Sequence, residues 1–289
     1  MNNTSSQFVF FGTSEFSIIV LETLRGRGLL PKAIVTTPDR PQGRKLVTAA
    51  PPVKIWAQEN GVAVLQFEKL NDDAISTLSN LKVDFFIVAS YGKIIPQAIL
   101  DIPTKGALNI HPSLLPLYRG ASPLQSTILA DDSDTGVTII KMDALMDHGP
   151  IVAARKVKIA DWPPTVTELE HTLAISGTQL LADHLDEYIN NTLTPIEQDH
   201  HKATFTKKIS REEGLINIKD ESDANARISF LKFQAFQGWP GTYFFTERKG
   251  KKIRVTIKDA KFEEGKFIIT KVTPEGGKEI SYEEFLRGL

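Results

Sequence analysis

The run Asn109-Ile110-His111-Pro112-Ser113-Leu114-Leu115-Pro116-Leu117-Tyr118-Arg119-Gly120 holds the densest set of side chains able to do chemistry. Residues 106–110 read as a strand, and Asn109 and His111 stand two apart, so both side chains leave the same face. An amide beside an imidazole suits acyl transfer, because both can donate to an oxygen that gains negative charge as a carbonyl becomes tetrahedral. Pro112 and Pro116 restrict the backbone of the exit loop. The same pair also fits two polar residues that merely satisfy hydrogen bonds at a strand end. Further on, Met142-Asp143-Ala144-Leu145-Met146-Asp147-His148-Gly149-Pro150 puts Asp147 in a turn. It reads either as an ordinary turn residue or as a carboxylate that orients His111 and keeps it cationic.

These groups need a frame. Short apolar runs at 8–11, 33–36, 62–65, 85–89 and 106–110 alternate with helical patterns, which is the signature of a parallel sheet buried on both faces. After the first run, Gly12-Thr13-Ser14 leads into Phe16, Ile19, Val20 and Leu24 at helical spacing, with Ser14 placed to cap. Runs 136–142 and 151–159, separated by Gly149-Pro150, predict an added strand pair, and 169–189 a long amphipathic helix. The polar stretch 190–202, with Pro195 and no clear period, reads as a linker. Beyond it come a helix at 224–236 and three β-patterned runs at 242–246, 252–257 and 267–272. The expected architecture is α/β: a Rossmann-like, mostly parallel sheet domain followed by a small, abridged β-barrel-like (OB-like) C-terminal domain. Ligands of open parallel sheets sit beyond the carboxyl ends of the strands, which is where Asn109 and His111 fall.

Composition narrows the chemistry. The chain has 289 residues, 41% hydrophobic and 24% charged, so a disordered or fibrous chain is not expected. Zero cysteines remove a disulfide scaffold, Cys-ligated zinc, iron–sulfur clusters and a thiolate nucleophile. A polar MNNTSSQ opening and the lack of any apolar run approaching a membrane span predict a cytoplasmic protein. The net charge of −1 conceals an asymmetry: residues 202–289 hold 18 basic and 13 acidic residues. A basic portion suits an anionic partner, although uneven solvated surfaces give the same count. Gly12-Thr13-Ser14 is not a dinucleotide fingerprint and no P-loop occurs. The adjacent His200 and His201 point apart and make poor metal ligands, and His148 reads as surface.

The loop Pro38-Asp39-Arg40-Pro41-Gln42-Gly43-Arg44-Lys45-Leu46 groups three cations with Pro and Gly. It reads as a mobile, positively charged finger able to meet phosphates, or as an ordinary solvated loop.

Taken together, NIHPSLLPLYRG and the later Asp of MDHGP resemble the formyltetrahydrofolate-dependent formyltransferases. The resemblance implies a triad of Asn109, His111 and Asp147, with Ser113, Leu114, Leu115 and Pro116 as the tetrahydrofolate-binding signature. It implies pterin contacts at Val88, Ser90, Tyr91, Ile94 and Ile95, 10-formyltetrahydrofolate as the formyl-donor co-substrate, and no metal. The chain is similar, over almost its whole length, to the branch of this family that acts on initiator methionyl-tRNA in translation initiation. That similarity runs through FFGTSEFS, TPDRPQGRKL, VASYGKIIP, DTGVTIIKMD, ATFTKKISREEGLINI and QAFQGWPGT. It implies tRNA contacts at Arg40, Arg44 and Lys45 and a monomer, with 1–190 as the formyltransferase domain, 191–206 as a linker and 207–289 for tRNA. Arg119 then lies either near the acceptor path or in a structural ion pair. A nucleotide-sugar N-formyltransferase shares the triad and the folate signature but does not need the basic finger; a non-catalytic folate- or RNA-binding relative does not need the triad. One departure stands out: after 267–272 the chain soon ends, which predicts a C-terminal module abridged relative to the family.

Overall fold

Apolar, β-branched and aromatic runs build the first sheet, as their patterning dictates. The computed structural model describes residues 7–42, 47–218, 222–248 and 250–289. In chain order the first strands are β1 (Phe8–Gly12), β2 (Ala33–Thr36), β3 (Arg40–Gln42), β4 (Val47–Ala49), β5 (Ala63–Gln66), β6 (Phe85–Ala89), β7 (Ala107–His111), β8 (Arg119–Gly120), β9 (Gly136–Lys141) and β10 (Ile151–Lys156). Seven of them form one sheet in the order β10-β9-β7-β6-β1-β2-β5. The pairs β5–β2–β1–β6–β7 are parallel, and β9 and β10 extend the sheet antiparallel.

Helices α1 (Glu15–Gly26), α2 (Pro52–Glu59), α3 (Asp72–Ser79), α4 (Gln97–Leu100), α5 (Pro123–Leu129) and α6 (Val166–Ile189) alternate with these strands. The alternation along β7 assigns the faces. Leu108 and Ile110 join the apolar layer that includes Leu24, Leu181 and Leu185. Ala107 joins the opposite layer with Phe11, Phe86, Val88 and Tyr91. Each fully buried Phe or Leu in these layers contributes about 1.5–3 kcal/mol relative to exposure. Asn109 and His111 share the face of Ala107, at the rim where that apolar layer ends.

Close approach explains one glycine. A Cβ at Gly12, where β1 turns into α1, would lie 2.5 Å from the Phe10 ring and 2.6 Å from Ser17 Oγ. Ser14 occupies the N-cap position, yet its hydroxyl donates across to Ser90 Oγ at 2.8 Å. Ser17 Oγ accepts from the amides of Thr13 (2.9 Å) and Ser14 (3.2 Å) and donates to Ala89 O (2.7 Å), tying the ends of β1 and β6 together.

Later in the chain come β11 (Phe205–Thr206), α7 (Asp223–Ala235), β12 (Tyr243–Arg248), β13 (Lys251–Glu263), β14 (Lys266–Pro274), β15 (Ile280–Ser281) and α8 (Tyr282–Arg287). The strands β12-β13-β14-β15 make an antiparallel sheet in that order. Its core holds Phe233, Phe244, Val255, Val272 and Phe285. The chain thus pairs a Rossmann-like sheet domain with a small antiparallel one. The C-terminal strands run well past the predicted 252–257 and 267–272, and a final strand and helix follow them.

Two compact units divide the molecule. The first comprises Met1–Ala121, Thr135–Val157 and Glu170–Phe205; the second comprises Ser122–Asp134, Lys158–Leu169 and Thr206–Leu289. Within the second, Arg227 clasps Asp131 (2.9 and 2.7 Å), Trp162 Nε1 donates to Asp131 (2.8 Å), and Gln234 donates to Pro163 O (2.9 Å). Residues 191–205 fold with the first: Ile196 exchanges backbone hydrogen bonds with Ile151 at 2.7 and 2.8 Å. No helix among the described residues is long and apolar enough to cross a membrane.

Candidate active site

The parallel pairing of β6 with β7 sets Val88 beside Asn109, and β9 sets Ile140 on the other side of Asn109. The amide therefore leaves from the sheet interior rather than from an edge. Asn109 is 8% and His111 4% exposed, so any charge forming beside them meets few competing waters. Asp147 arrives on the loop between β9 and β10. Its Oδ1 lies 3.4 Å from Asn109 Nδ2 and 3.5 Å from His111 Nδ1. Its Oδ2 accepts the backbone N–H of Gly120 at 2.7 Å. Asn109 and His111, aligned by strand spacing, thus both face the carboxylate of Asp147, which only the family resemblance had singled out.

Hydrogen bonding fixes the imidazole. His111 Nε2 lies 3.0 Å from Tyr118 O, a carbonyl that only accepts, so Nε2 carries a proton. On its other side, Nδ1 faces the Asp147 carboxyl at 3.5 Å.

Asp147 has φ +51°, in the left-handed region, which costs about 1 kcal/mol or more outside glycine. Two residues on, the loop passes so close to β9 that a Cβ at Gly149 would lie 1.9 Å from Lys141 O. Glycine is required there, and its Gly-Pro sequence was the signal.

Ser113–Pro116 forms a loop held from within. Ser113 Oγ donates to Leu117 O at 2.6 Å and its own carbonyl accepts from Thr138 Oγ1 at 2.7 Å. Thr138 Oγ1 in turn accepts from Leu115 N at 3.1 Å. Ser113 and Leu115 are buried, while Leu114 and Pro116 are partly open. Sequence reasoning missed Thr138; the signal was a hydroxyl within the apolar stretch Val137–Ile140 of strand β9.

The segment after β6 divides in two. Val88, Tyr91 and Ile95 are buried in the apolar layer, with the Tyr91 ring edge-on to Phe11 at 5.4 Å. Ser90 and Ile94 are exposed, Ile94 at 87%. Burial pushes the Tyr91 phenol up to about 12, so it stays protonated at neutral pH. Its Oη is buried with no hydrogen-bond partner among the described residues.

The flanks of the basic finger pair antiparallel as β3 and β4: Arg40 lies opposite Ala49 and Pro41 opposite Thr48. Asp39 anchors it, accepting from Gln66 Nε2 and from Lys54 Nζ, each at 2.7 Å. Those two hydrogen bonds, Gln66 first, hold the Asp39 carboxyl below its usual range. Arg40 is exposed and sits 3.8 Å from Glu68. Arg44 and Lys45 lie outside the described residues. Arg119 is buried and bonds Gln198 and His200. His148 is partly buried, bonded to Asp143 at 2.7 Å and stacked on His200 at 4.0 Å. A groove of about 500 Å³ lined by Leu100, Pro103, Lys141 and Met142 lies at the other end of β7, near Gly106.

A buried amide and imidazole at a strand end, turned toward a carboxylate, are suited to steadying a tetrahedral acyl intermediate. The chain belongs to the formyl transferase family of formyl-transferring enzymes, whose profile matches residues 6–185. Its relatives include the methionyl-tRNA formyltransferase of Chloroflexus aurantiacus, 40% identical over 86% of this chain and 78% of that one. The methionyl-tRNA formyltransferase of Bacillus velezensis is 34% identical over 98% of this chain and 95% of its own length. In fold, the chain superposes on methionyl-tRNA formyltransferase from Clostridium thermocellum with a TM-score of 0.61 and 16% identity, covering 96% and 99% of the two chains.

Proposed function

We propose that this chain transfers the formyl group of 10-formyltetrahydrofolate to the α-amine of initiator methionyl-tRNA, in the cytoplasm, as a monomer. The observation that carries the reading is the meeting of Asn109 Nδ2 and His111 Nδ1 at Asp147 Oδ1 in a chain of this family. The neutral amine attacks the formyl carbon, and a C–N bond forms as the C=O π pair moves to oxygen. The oxyanion accepts hydrogen bonds from the second Asn109 N–H and from His111 Nε2–H. A full negative charge is a stronger acceptor than the Tyr118 carbonyl that holds Nε2 beforehand. Collapse breaks the bond to N10, which leaves with a proton drawn from the attacking ammonium through water. Asp147 orients His111 and assists that proton transfer. α-Amino groups titrate at about 7.7–8.0, so a useful fraction is free near neutral pH.

The donor fits the residues at hand. Exposed Ser90 and Ile94 and the unpartnered Tyr91 Oη follow β6, beside the start of Ser113–Pro116 after β7. Val88, Tyr91 and Ile95 act by shaping the backbone that meets the pterin, with Leu114 and Pro116 as the opposite wall. Arg40, Arg44 and Lys45 meet acceptor-end phosphates, and 207–289 holds the tRNA body.

The test is formylation of methionyl-tRNA by the purified chain with 10-formyltetrahydrofolate, with a dTDP-amino sugar as the competing acceptor. Product on the tRNA supports the reading; product on the sugar alone refutes it.

A further inference from the structure

A buried glutamine from the supposed linker grips the loop that carries the catalytic carboxylate. Gln198 is 5% exposed. Its Nε2 donates to Asp147 O at 3.0 Å and to Gly149 O at 2.7 Å. Its Oε1 accepts from Arg119 Nε at 3.2 Å and Nη2 at 2.6 Å. Both amide hydrogens and both oxygen lone pairs are therefore engaged, the full capacity of the group.

The far side of the clasp closes on the same carboxylate. Arg119 is 3% exposed and precedes Gly120, whose N–H donates to Asp147 Oδ2 at 2.7 Å. Arg119 Nη2 also lies 2.9 Å from His200 Nδ1, which must accept because a guanidinium only donates. The amide thus links the Asp147 main chain to the strand that holds its side chain. Asp147 sits at φ +51°, a conformation that persists only where its surroundings over-determine it.

We propose that Gln198 is a positioning residue for formyl transfer, which holds the Asp147–Gly149 turn so that Oδ1 stays against Asn109 and His111. The inference rests on the formyl-transfer reading above. Arg119 acts through Gln198: its bidentate grip sets the amide plane and hence the direction of the two N–H bonds.

The test compares Gln198→Leu with Gln198→Glu. The carboxylate keeps both bonds from Arg119 but has no hydrogens for Asp147 O and Gly149 O, so it isolates the half of the clasp that matters and stands in where the leucine variant does not fold. Expected for both is a kcat lowered about 10- to 100-fold, with the KM for 10-formyltetrahydrofolate within about threefold of wild type. In an Asp147→Asn background the same changes should lower kcat by less than about threefold, because the positioned group is already disabled. Hydrogen exchange at the Gly120 amide, read by NMR on the free protein, should quicken at least about tenfold in Gln198→Glu. Wild-type kcat with unchanged Gly120 exchange in Gln198→Glu overturns the proposal, as does a full additional kcat loss in the Asp147→Asn background. If the wild type forms no formyl-methionyl-tRNA, the functional reading fails on its own, and Gly120 exchange alone then decides whether Gln198 holds the turn.

Discussion

His111 Nδ1 stands 3.5 Å from Asp147 Oδ1, an ion-pair distance between a strand-end imidazole and a loop carboxylate. Both are largely shielded from solvent, so the carboxyl faces the imidazole with little competing water. Asp147→Asn preserves the acceptor for Gly120 N–H while removing the charge. The variant should fold normally and lose about 10²-fold or more in single-turnover formyl transfer. A loss below threefold would remove Asp147 from the mechanism.

In the proposed mechanism, Asn109→Ala and His111→Ala each delete one donor to the developing oxyanion. Each should lower kcat by about 10²–10³, some 2.7–4 kcal/mol, with folate binding by equilibrium fluorescence little changed. Turnover near wild type in either would exclude that residue from the chemistry.

Arg44 and its neighbours are expected to act on phosphates alone. Arg44→Ala should raise the KM for methionyl-tRNA and reduce the slope of log affinity against log salt by about one. Formylation of a small amine acceptor should be unaffected. Equal losses toward both acceptors would count against a role in gripping RNA.

Glu170, on α6, is pushed above the ordinary glutamate range, first by burial and then by the nearby Glu15 charge, against one hydrogen bond from the Phe16 backbone. The folded chain therefore holds this proton to a higher pH than the unfolded chain does. Its contribution to stability is complete below the unfolded value and is lost as pH rises through the folded one. Glu170→Gln should unfold at a higher temperature than wild type at pH 7, and the two melting curves should converge below about pH 4. A lower melting temperature for the variant at pH 7 would show the carboxylate to be stabilising.

Gly149→Ala tests how the loop is seated. The added methyl meets Lys141 O at 1.9 Å, and a main-chain atom cannot rotate away. A stability loss of about 1–3 kcal/mol is expected in urea titration, together with a fall in kcat as Asp147 shifts.

The sheet was legible because its strands are buried on both faces. Runs 33–36 and 85–89 match β2 and β6 residue for residue. The spacing of Asn109 and His111 was legible too, since period two is all that β7 needs to align them. Their encounter with Asp147 was not, because it depends on a loop whose path is set by Gly149 and by donors from Gly120 and Gln198. Resemblance supplied that pairing. The polar segment 190–202 looked like a spacer for the same reason: Gln198 is hydrophilic by type, yet its polarity is consumed internally. Membership of 122–134 and 158–169 in the second unit depends on Asp131 and Pro163 finding partners more than 70 residues away, in Arg227 and Gln234, beyond the reach of any local pattern. The antiparallel pairing of Arg40–Gln42 with Val47–Ala49 escaped notice because three residues interrupted by a proline give no readable β pattern.

The donor that secures Asp147 Oδ2 belongs to the main chain of Gly120, not to any side chain. Amino-acid replacement at position 120 cannot delete that proton unless the newcomer is proline, although the φ of +115° penalises every other residue. Evolutionary drift can therefore erode the grip on the acid from its other oxygen or from Gln198, which holds the turn behind it, but not from the Gly120 side chain. Descendants that abandon this reaction should betray themselves first at positions 109 and 111, while the anchor beneath survives as a relic.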